Sequence, residues 1–142
     1  MSKALVDNQA ILKKHGRSFY WASVFLPADT RHQAAALYGF CRRVDDAVDE
    51  APDEHVANEN ISEMEQLLAE PKDEFSALFK QLRECGLGLE PARQLLLGVK
   101  SDLDRVQVQD EAELLLYCYR VAGTVGLMMC PVLNVRDPRA WG

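Results

Sequence analysis

The sequence lacks the features of a zinc-binding or nucleic-acid-binding domain. It has four cysteines but no CxxC pair and no close cysteine–histidine spacing, so ligands for a structural zinc ion are missing. Single cysteines in helical segments are expected to be reduced core residues. Positive charge is also scarce, since the formal net charge is −6, which argues against nucleic acid as the main partner.

Targeting and membrane-spanning signals are absent as well. The first residues contain no apolar run of signal-peptide length, so a cytoplasmic location is expected. The longest uncharged stretch covers residues 121–135 and contains Pro131. This stretch favours a buried helix over a membrane span.

No segment shows the alternating pattern of a β-strand, and helical periodicity extends over nearly the whole chain. The fold class is therefore predicted to be all-α. Thr30 and Gln33 predict a capping box at the start of the third helix, and Pro71 and Pro91 are each expected in the first turn of a new helix. The predicted helices cover residues 8–15, 17–26 and about 30–50, a segment around 61–68, the segments after Pro71 and Pro91, and 110 to about 131.

The third helix carries an ordered polar stripe. Tyr38, Arg42, Asp45 and Asp49 are four, three and four residues apart, so they share one face beside an apolar stripe. Two carboxylates one turn apart suit Mg²⁺, or Mn²⁺ in its place, which completes its coordination with water and phosphate oxygens. Arg42 could add a bidentate contact to the same phosphates. A surface salt-bridge ladder that includes Asp46 is the alternative at this spacing.

Three segments together resemble the squalene/phytoene synthase family. They are residues 17–20 (RSFY), residues 36–49 (ALYGFCRRVDDAVD) and residues 117–126 (YCYRVAGTVG), which occur in the family's order. The first aspartate-rich motif of the family corresponds to residues 36–49. Residues 128–133 (MMCPVL) favour the phytoene synthase branch.

The resemblance implies an isoprenoid synthase-type helical bundle around a central hydrophobic cavity. Residues 1–142 would be the N-terminal portion of one such domain, truncated before a second aspartate-rich helix, and are expected to be inactive alone. The implied reaction is head-to-head (1–1′) condensation of two prenyl diphosphates in carotenoid biosynthesis. Two geranylgeranyl diphosphates would give phytoene through a cyclopropyl diphosphate. Because this product is very apolar, the resemblance also implies that the protein associates peripherally with the inner face of the membrane.

Site residues are carried over from the family by position. Asp45 and Asp49 would bind the metal ions, and Tyr38, Arg42 and Tyr117 would serve catalysis, with Tyr117 near the carbocation. The implied substrate-binding residues are His15, Ser18, Phe19, Tyr38, Arg42, Val121, Val125 and Gly126. Independently of the family, a glycine inside a helix indicates close packing or room for a ligand.

Three alternatives remain open from the sequence. Squalene or dehydrosqualene synthases belong to the same family. Chain-elongating prenyltransferases share the literal DDxxD pattern of residues 45–49, but residues 38, 42 and 121–126 do not suit them. The third alternative is a catalytically incompetent fragment that acts only as a helical binding module.

Overall fold

The all-α fold predicted from the sequence is confirmed. A computed structural model describes residues 3–104 and 107–141, and this part of the chain contains helices and no strand. In chain order the α-helices are α1 (Lys3–His15), α2 (Arg17–Ser23), α3 (Ala28–Asp49), α4 (Glu54–Ala69), α5 (Asp73–Glu84), α6 (Glu90–Ser101), α7 (Glu111–Cys118) and α8 (Thr124–Val132). A π-helical segment, Tyr119–Gly123, joins α7 to α8, and short 3₁₀ turns cover Asp102–Asp104 and Pro138–Ala140.

Two helices begin at acidic caps. The Asp53 carboxylate accepts a hydrogen bond from the Val56 amide at 2.9 Å at the start of α4. The Asp110 carboxylate does the same for the Glu113 amide at 2.9 Å at the start of α7, as the sequence predicts. Each contact satisfies one of the free amides that open a helix, and is worth about 1 kcal/mol.

The predicted starts of α3 and α5 are wrong by two residues. Helix α3 already begins at Ala28, directly after Pro27, whose ψ of 151° is extended and which supplies no side-chain cap. Thr30 therefore lies inside the first turn and cannot act as the cap. Helix α5 begins at Asp73, two residues after Pro71, whereas Pro91 occupies the first turn of α6 as predicted.

Helix α3 lies at the centre of the fold and packs against α1, α4, α5, α6 and α8. Its buried Phe40 meets Phe75 and Phe79 of α5 with ring centroids 5.9 and 5.3 Å apart, both edge to face. Such pairs add about 0.5–1.5 kcal/mol beyond their burial. Because this cluster fixes the apolar side of α3, the polar stripe of the same helix is held at the other side.

The helix that runs from Glu111 to Val132 is only partly buried. It is 22 residues long and contains an 18-residue segment whose mean hydropathy of 1.4 is high enough for a membrane span by length and composition. Of this segment, 22% is buried. Met128 and Val132 of α8 are in the core, but Leu115 of α7 is 62% exposed. The expectation of a buried helix concerned residues 121–135, of which Thr124, Met128, Pro131 and Val132 are buried. Helix α7 precedes that stretch, and its outer face has no packing partner among the described residues. For the same reason Cys118 is exposed rather than a core residue.

Candidate functional site

A cavity of about 570 Å³ lies between α1, α2, α3 and α8. Its wall is almost entirely apolar, as expected for a site that takes a hydrocarbon chain. Phe19, Tyr38, Val125 and Gly126, all assigned to substrate binding from the sequence, lie in the wall. The wall also contains residues that sequence reasoning did not assign: Leu12, Ala22, Ser23, Leu26, Ala34, Leu37, Cys41, Met129 and Leu133.

Besides Arg42, three of the substrate-binding candidates lie outside the cavity wall. His15 ends α1 and Ser18 lies in the first turn of α2, and both side chains are exposed. Val121 belongs to the π-helical segment, where its Cγ1 atom is 3.0 Å from the position that a Cβ atom on Gly98 would take. Val121 thus packs toward α6, and the assignments of His15, Ser18 and Val121 stay predictions.

Gly16 and Gly126 affect the shape of the cavity because neither has a Cβ atom. A Cβ atom on Gly16 would come within 2.9 Å of the Tyr38 ring, so glycine lets the start of α2 lie against Tyr38. A Cβ atom on Gly126 would meet no heavy atom within 4 Å. The glycine in α8 therefore leaves open space in the wall, which is one of the two roles that the sequence indicates.

The polar stripe of α3 is divided between one salt bridge and two free carboxylates. Arg42 binds Asp46 with Nη2 and Oδ1 2.8 Å apart and with Nε and Oδ2 3.2 Å apart. Its Nη2 atom is also 4.0 Å from a Glu50 oxygen. Within the described residues, Asp45 and Asp49 take part in no salt bridge. The salt-bridge ladder therefore exists for Arg42 and Asp46 but does not use the two predicted metal ligands.

Crowding of negative charge perturbs Asp45. Partial desolvation raises the pKa of this carboxyl, and the charge of Asp49 raises it further, against the opposing effect of Arg42. Asp46 and Asp102 add smaller upward contributions. A carboxyl whose negative form is disfavoured by neighbouring carboxylates is stabilised in that form by a cation.

Asp102 is a site neighbour that sequence reasoning missed. It lies in the 3₁₀ turn after α6, and its Oδ1 accepts a hydrogen bond from the Tyr117 hydroxyl at 2.9 Å. This bond, followed by partial desolvation and the charge of Asp102, raises the pKa of Tyr117. Asp102 also raises the pKa of Asp45 slightly, so it acts electrostatically on the α3 stripe as well as through its contact with Tyr117. No local pattern marks Asp102, because the contact joins segments far apart in the chain.

The residues present fit a divalent cation as a partial ligand set. Asp45 and Asp49 are exposed, one turn apart, and unbridged, which suits Mg²⁺ or Mn²⁺ with water and phosphate oxygens in the remaining positions. No group of three potential ligands is found within residues 3–104 and 107–141. The two carboxylates thus supply part of a coordination shell rather than a closed site.

Comparison with known proteins places this geometry in a family. The family model for squalene/phytoene synthase matches residues 12–141. The 15-cis-phytoene synthase of Synechocystis sp. is 35% identical over 131 residues, which are 88% of this chain and 39% of that protein. The 15-cis-phytoene synthase of Synechococcus elongatus is 34% identical over 143 residues, which are 96% of this chain and 46% of that protein. The chain thus spans less than half the length of these curated relatives.

A solved structure agrees with the sequence matches. A dehydrosqualene synthase, crystallised with a ligand, superimposes with a TM-score of 0.79 at 29% sequence identity. The superposition covers 97% of this chain and 52% of that structure.

Proposed function

The chain belongs to the squalene/phytoene synthase family, and from this premise we propose that it forms the part of a prenyltransferase that binds a prenyl diphosphate through the first aspartate-rich helix. The proposed reaction is head-to-head condensation of two prenyl diphosphates. The observation that carries the proposal is the position of two unbridged carboxylates, Asp45 and Asp49, on the helix that supplies Tyr38 to an apolar cavity of about 570 Å³.

Each part of the site has a role in this proposal. Asp45 and Asp49 hold Mg²⁺ or Mn²⁺ ions, which when bound neutralise the diphosphate and assist its departure. Arg42, now paired with Asp46, lies on the same stripe and can exchange that carboxylate for a diphosphate oxygen. The prenyl chain lies in the cavity against Phe19, Val125 and Gly126, where water is excluded from the hydrocarbon.

Tyr117 and Asp102 extend the polar end of the site. The hydrogen bond between them fixes the Tyr117 hydroxyl, and the carboxylate increases the negative charge on its oxygen. A tyrosine in that state is a suitable neighbour for a positive charge that forms on the prenyl carbons. Asp102 acts here through Tyr117 and is therefore a positioning residue.

Phytoene, formed from two geranylgeranyl diphosphates through a cyclopropyl diphosphate, is the product that we propose. The phytoene synthases of Synechocystis and Synechococcus support this choice through their identity of 34–35%. Dehydrosqualene is the second candidate, because a dehydrosqualene synthase has the matching fold. Because residues 1–142 are expected to be inactive alone, the two products are separated by incubating a longer protein that contains this chain with geranylgeranyl or farnesyl diphosphate and Mg²⁺, followed by product chromatography.

The binding step is tested by titrating geranylgeranyl diphosphate into the protein with Mg²⁺ and with EDTA. Binding is expected only with the metal, and Asp45→Asn with Asp49→Asn should abolish it. Glu63→Gln is the matched control, because it removes an exposed carboxylate of α4, leaves the stripe of α3 intact and should leave binding unchanged. Equal binding by the double variant would refute the assignment of the carboxylates. No binding under any metal condition would favour a helical module without a substrate site.

A further inference from the structure

Three exposed apolar side chains lie at the end of α2, and they include the two most exposed large apolar side chains among the described residues. Trp21 is 69% exposed, Val24 43% and Phe25 89%. We call these three residues the α2 tip. The opposite face of α2 and the same turn supply Ala22, Ser23 and Leu26 to the cavity wall, so the tip is the side of this element that the cavity does not use.

The α2 tip is held in a fixed conformation. Arg31 of α3 donates from Nη2 to the carbonyl oxygens of Val24 at 3.3 Å and Leu26 at 3.1 Å. Backbone bonds from the amides of Val24 and Phe25 to Trp21 and Ala22, both at 3.3 Å, close the turn itself. The apolar side chains are therefore displayed on an ordered support, which lowers the entropic cost of inserting them into another phase.

Basic residues precede the α2 tip at the end of α1 and the start of α2, although the chain as a whole is acidic. The Lys13 ammonium lies 5.8 Å from the centroid of the Tyr20 ring, which is 6.4 Å from the Trp21 ring. Lys14 and Arg17 follow on the same end of α1 and start of α2. Residues 8–31 contain four lysines and arginines and one carboxylate, Asp29, in a chain whose net charge is −6.

We propose that the α2 tip inserts into the interface of a lipid bilayer that carries anionic headgroups. Trp21, Val24 and Phe25 enter the boundary of the acyl chains while Lys13, Lys14 and Arg17 contact the headgroups, the arrangement that interfacial segments use. A projecting apolar tip with basic flanks fits a surface that is apolar below and negatively charged above. The docking concerns the side of α2 that the cavity does not use, and it does not require the proposed reaction.

The two tryptophans of the 142-residue chain allow a direct test. In the Trp141→Phe variant, Trp21 is the only tryptophan, so tryptophan emission reports on this residue alone. With vesicles of phosphatidylglycerol and phosphatidylcholine, its emission is expected to shift to the blue and to be quenched by brominated acyl chains. The Trp21→Phe variant, which retains Trp141, should show no such quenching. Each of three cations near an anionic surface contributes about 1 kcal/mol to binding. The affinity for vesicles of pure phosphatidylcholine should therefore be roughly a hundredfold lower than for the mixed vesicles.

Paired substitutions locate the surface. Phe25→Ser should weaken sedimentation with anionic vesicles by about tenfold or more, because it removes the most exposed apolar ring. Leu115→Ser is the matched control, since Leu115 is 62% exposed on α7, and it should leave vesicle binding unchanged. Circular dichroism of each variant checks that the helices are retained.

Three results would overturn the proposal. Trp21 emission that is already blue and inaccessible to iodide without vesicles would show that a protein segment or a second copy covers the tip. Vesicle binding lost in Leu115→Ser but kept in Phe25→Ser would place the contact on α7. Absence of vesicle binding in a protein that still binds prenyl diphosphate with Mg²⁺ would reject the membrane surface and leave the proposed function intact.

Discussion

Two substitutions of Gly126 should separate an effect on the stability of the fold from an effect on ligand binding. Gly126 lies in α8, lines the cavity, and has no heavy atom within 4 Å of the position of a Cβ atom. A methyl group fits there without a clash and removes the conformational freedom that glycine has in the unfolded chain. Gly126→Ala should therefore raise the free energy of unfolding by about 0.5–1 kcal/mol.

A larger side chain at the same position should act on the ligand instead. Gly126→Phe places an aromatic ring in the open part of the cavity, where it competes with one five-carbon isoprene unit of the prenyl chain. At about 0.8 kcal/mol per buried carbon, displacing that unit costs up to about 4 kcal/mol, an upper estimate that corresponds to roughly a thousandfold in affinity. The diphosphate contacts should be unaffected, so inorganic diphosphate should bind as before.

The assays are urea unfolding and calorimetric titration with geranylgeranyl diphosphate and Mg²⁺. Gly98→Ala is the matched control, because its Cβ would lie 2.8 Å from the Cβ of Arg120 and 3.0 Å from Val121 Cγ1. That overlap should destabilise the fold by about 1–3 kcal/mol. The reasoning fails if Gly126→Ala is destabilising, or if Gly126→Phe binds geranylgeranyl diphosphate as tightly as the unaltered chain.

Three further predictions follow from titratable groups of the site. The raised pKa of Asp45 shows that its carboxylate is disfavoured in the fold. Asp45→Asn should therefore stabilise the chain at pH 7 by about 0.2–0.5 kcal/mol, the cost of like charges one helical turn apart. This gain should vanish in urea unfolding below the ordinary carboxyl pKa, where folded and unfolded states are both protonated. Burial raises the pKa of Cys41 to about 12, so iodoacetamide at pH 8 should modify it at least about tenfold more slowly than exposed Cys118, and equal rates by mass spectrometry would contradict this. Asp102→Ala should lower the pKa of Tyr117 toward its ordinary value in ultraviolet difference titration, whereas an unchanged midpoint would show that the hydrogen bond is absent in solution.

The helices themselves were predictable because each has a signal in its own sequence, such as apolar spacing or a capping residue. The apolar face of α5, with Phe75, Leu78, Phe79 and Leu82, is buried as its spacing predicts. Asp110 caps α7 because the cap contact spans only three residues. The start of α3 was missed because Pro27 adopts an extended conformation and the helix begins at once, without a side-chain cap.

The site was predictable only where its residues share one helix. The stripe of Arg42, Asp45 and Asp49 follows from the periodicity of α3. The partner of Arg42 does not, because Asp45 and Asp46, three and four residues further on, are both placed to bind the same guanidinium. The contact between Asp102 and Tyr117 joins the end of α6 to α7, and no local spacing encodes it. The exposure of α7 was missed because the same apolar pattern predicts a buried helix, a covered interface or a membrane-facing surface.

The electrostatics of α3 are easier to explain by binding than by folding. Asp45 and Asp49 stand one turn apart and unbridged, and like charges at this spacing destabilise a helix by roughly 0.2–0.5 kcal/mol. Arg42 could relieve them but pairs with Asp46. Phe40 and its aromatic partners fix the buried side of the helix. The helix therefore cannot rotate about its axis to relieve the repulsion between its carboxylates. A helix held so firmly on one side, with negative charge on the other side that Arg42 only partly offsets, supports the proposal that the stripe binds a cation and the phosphates that accompany it.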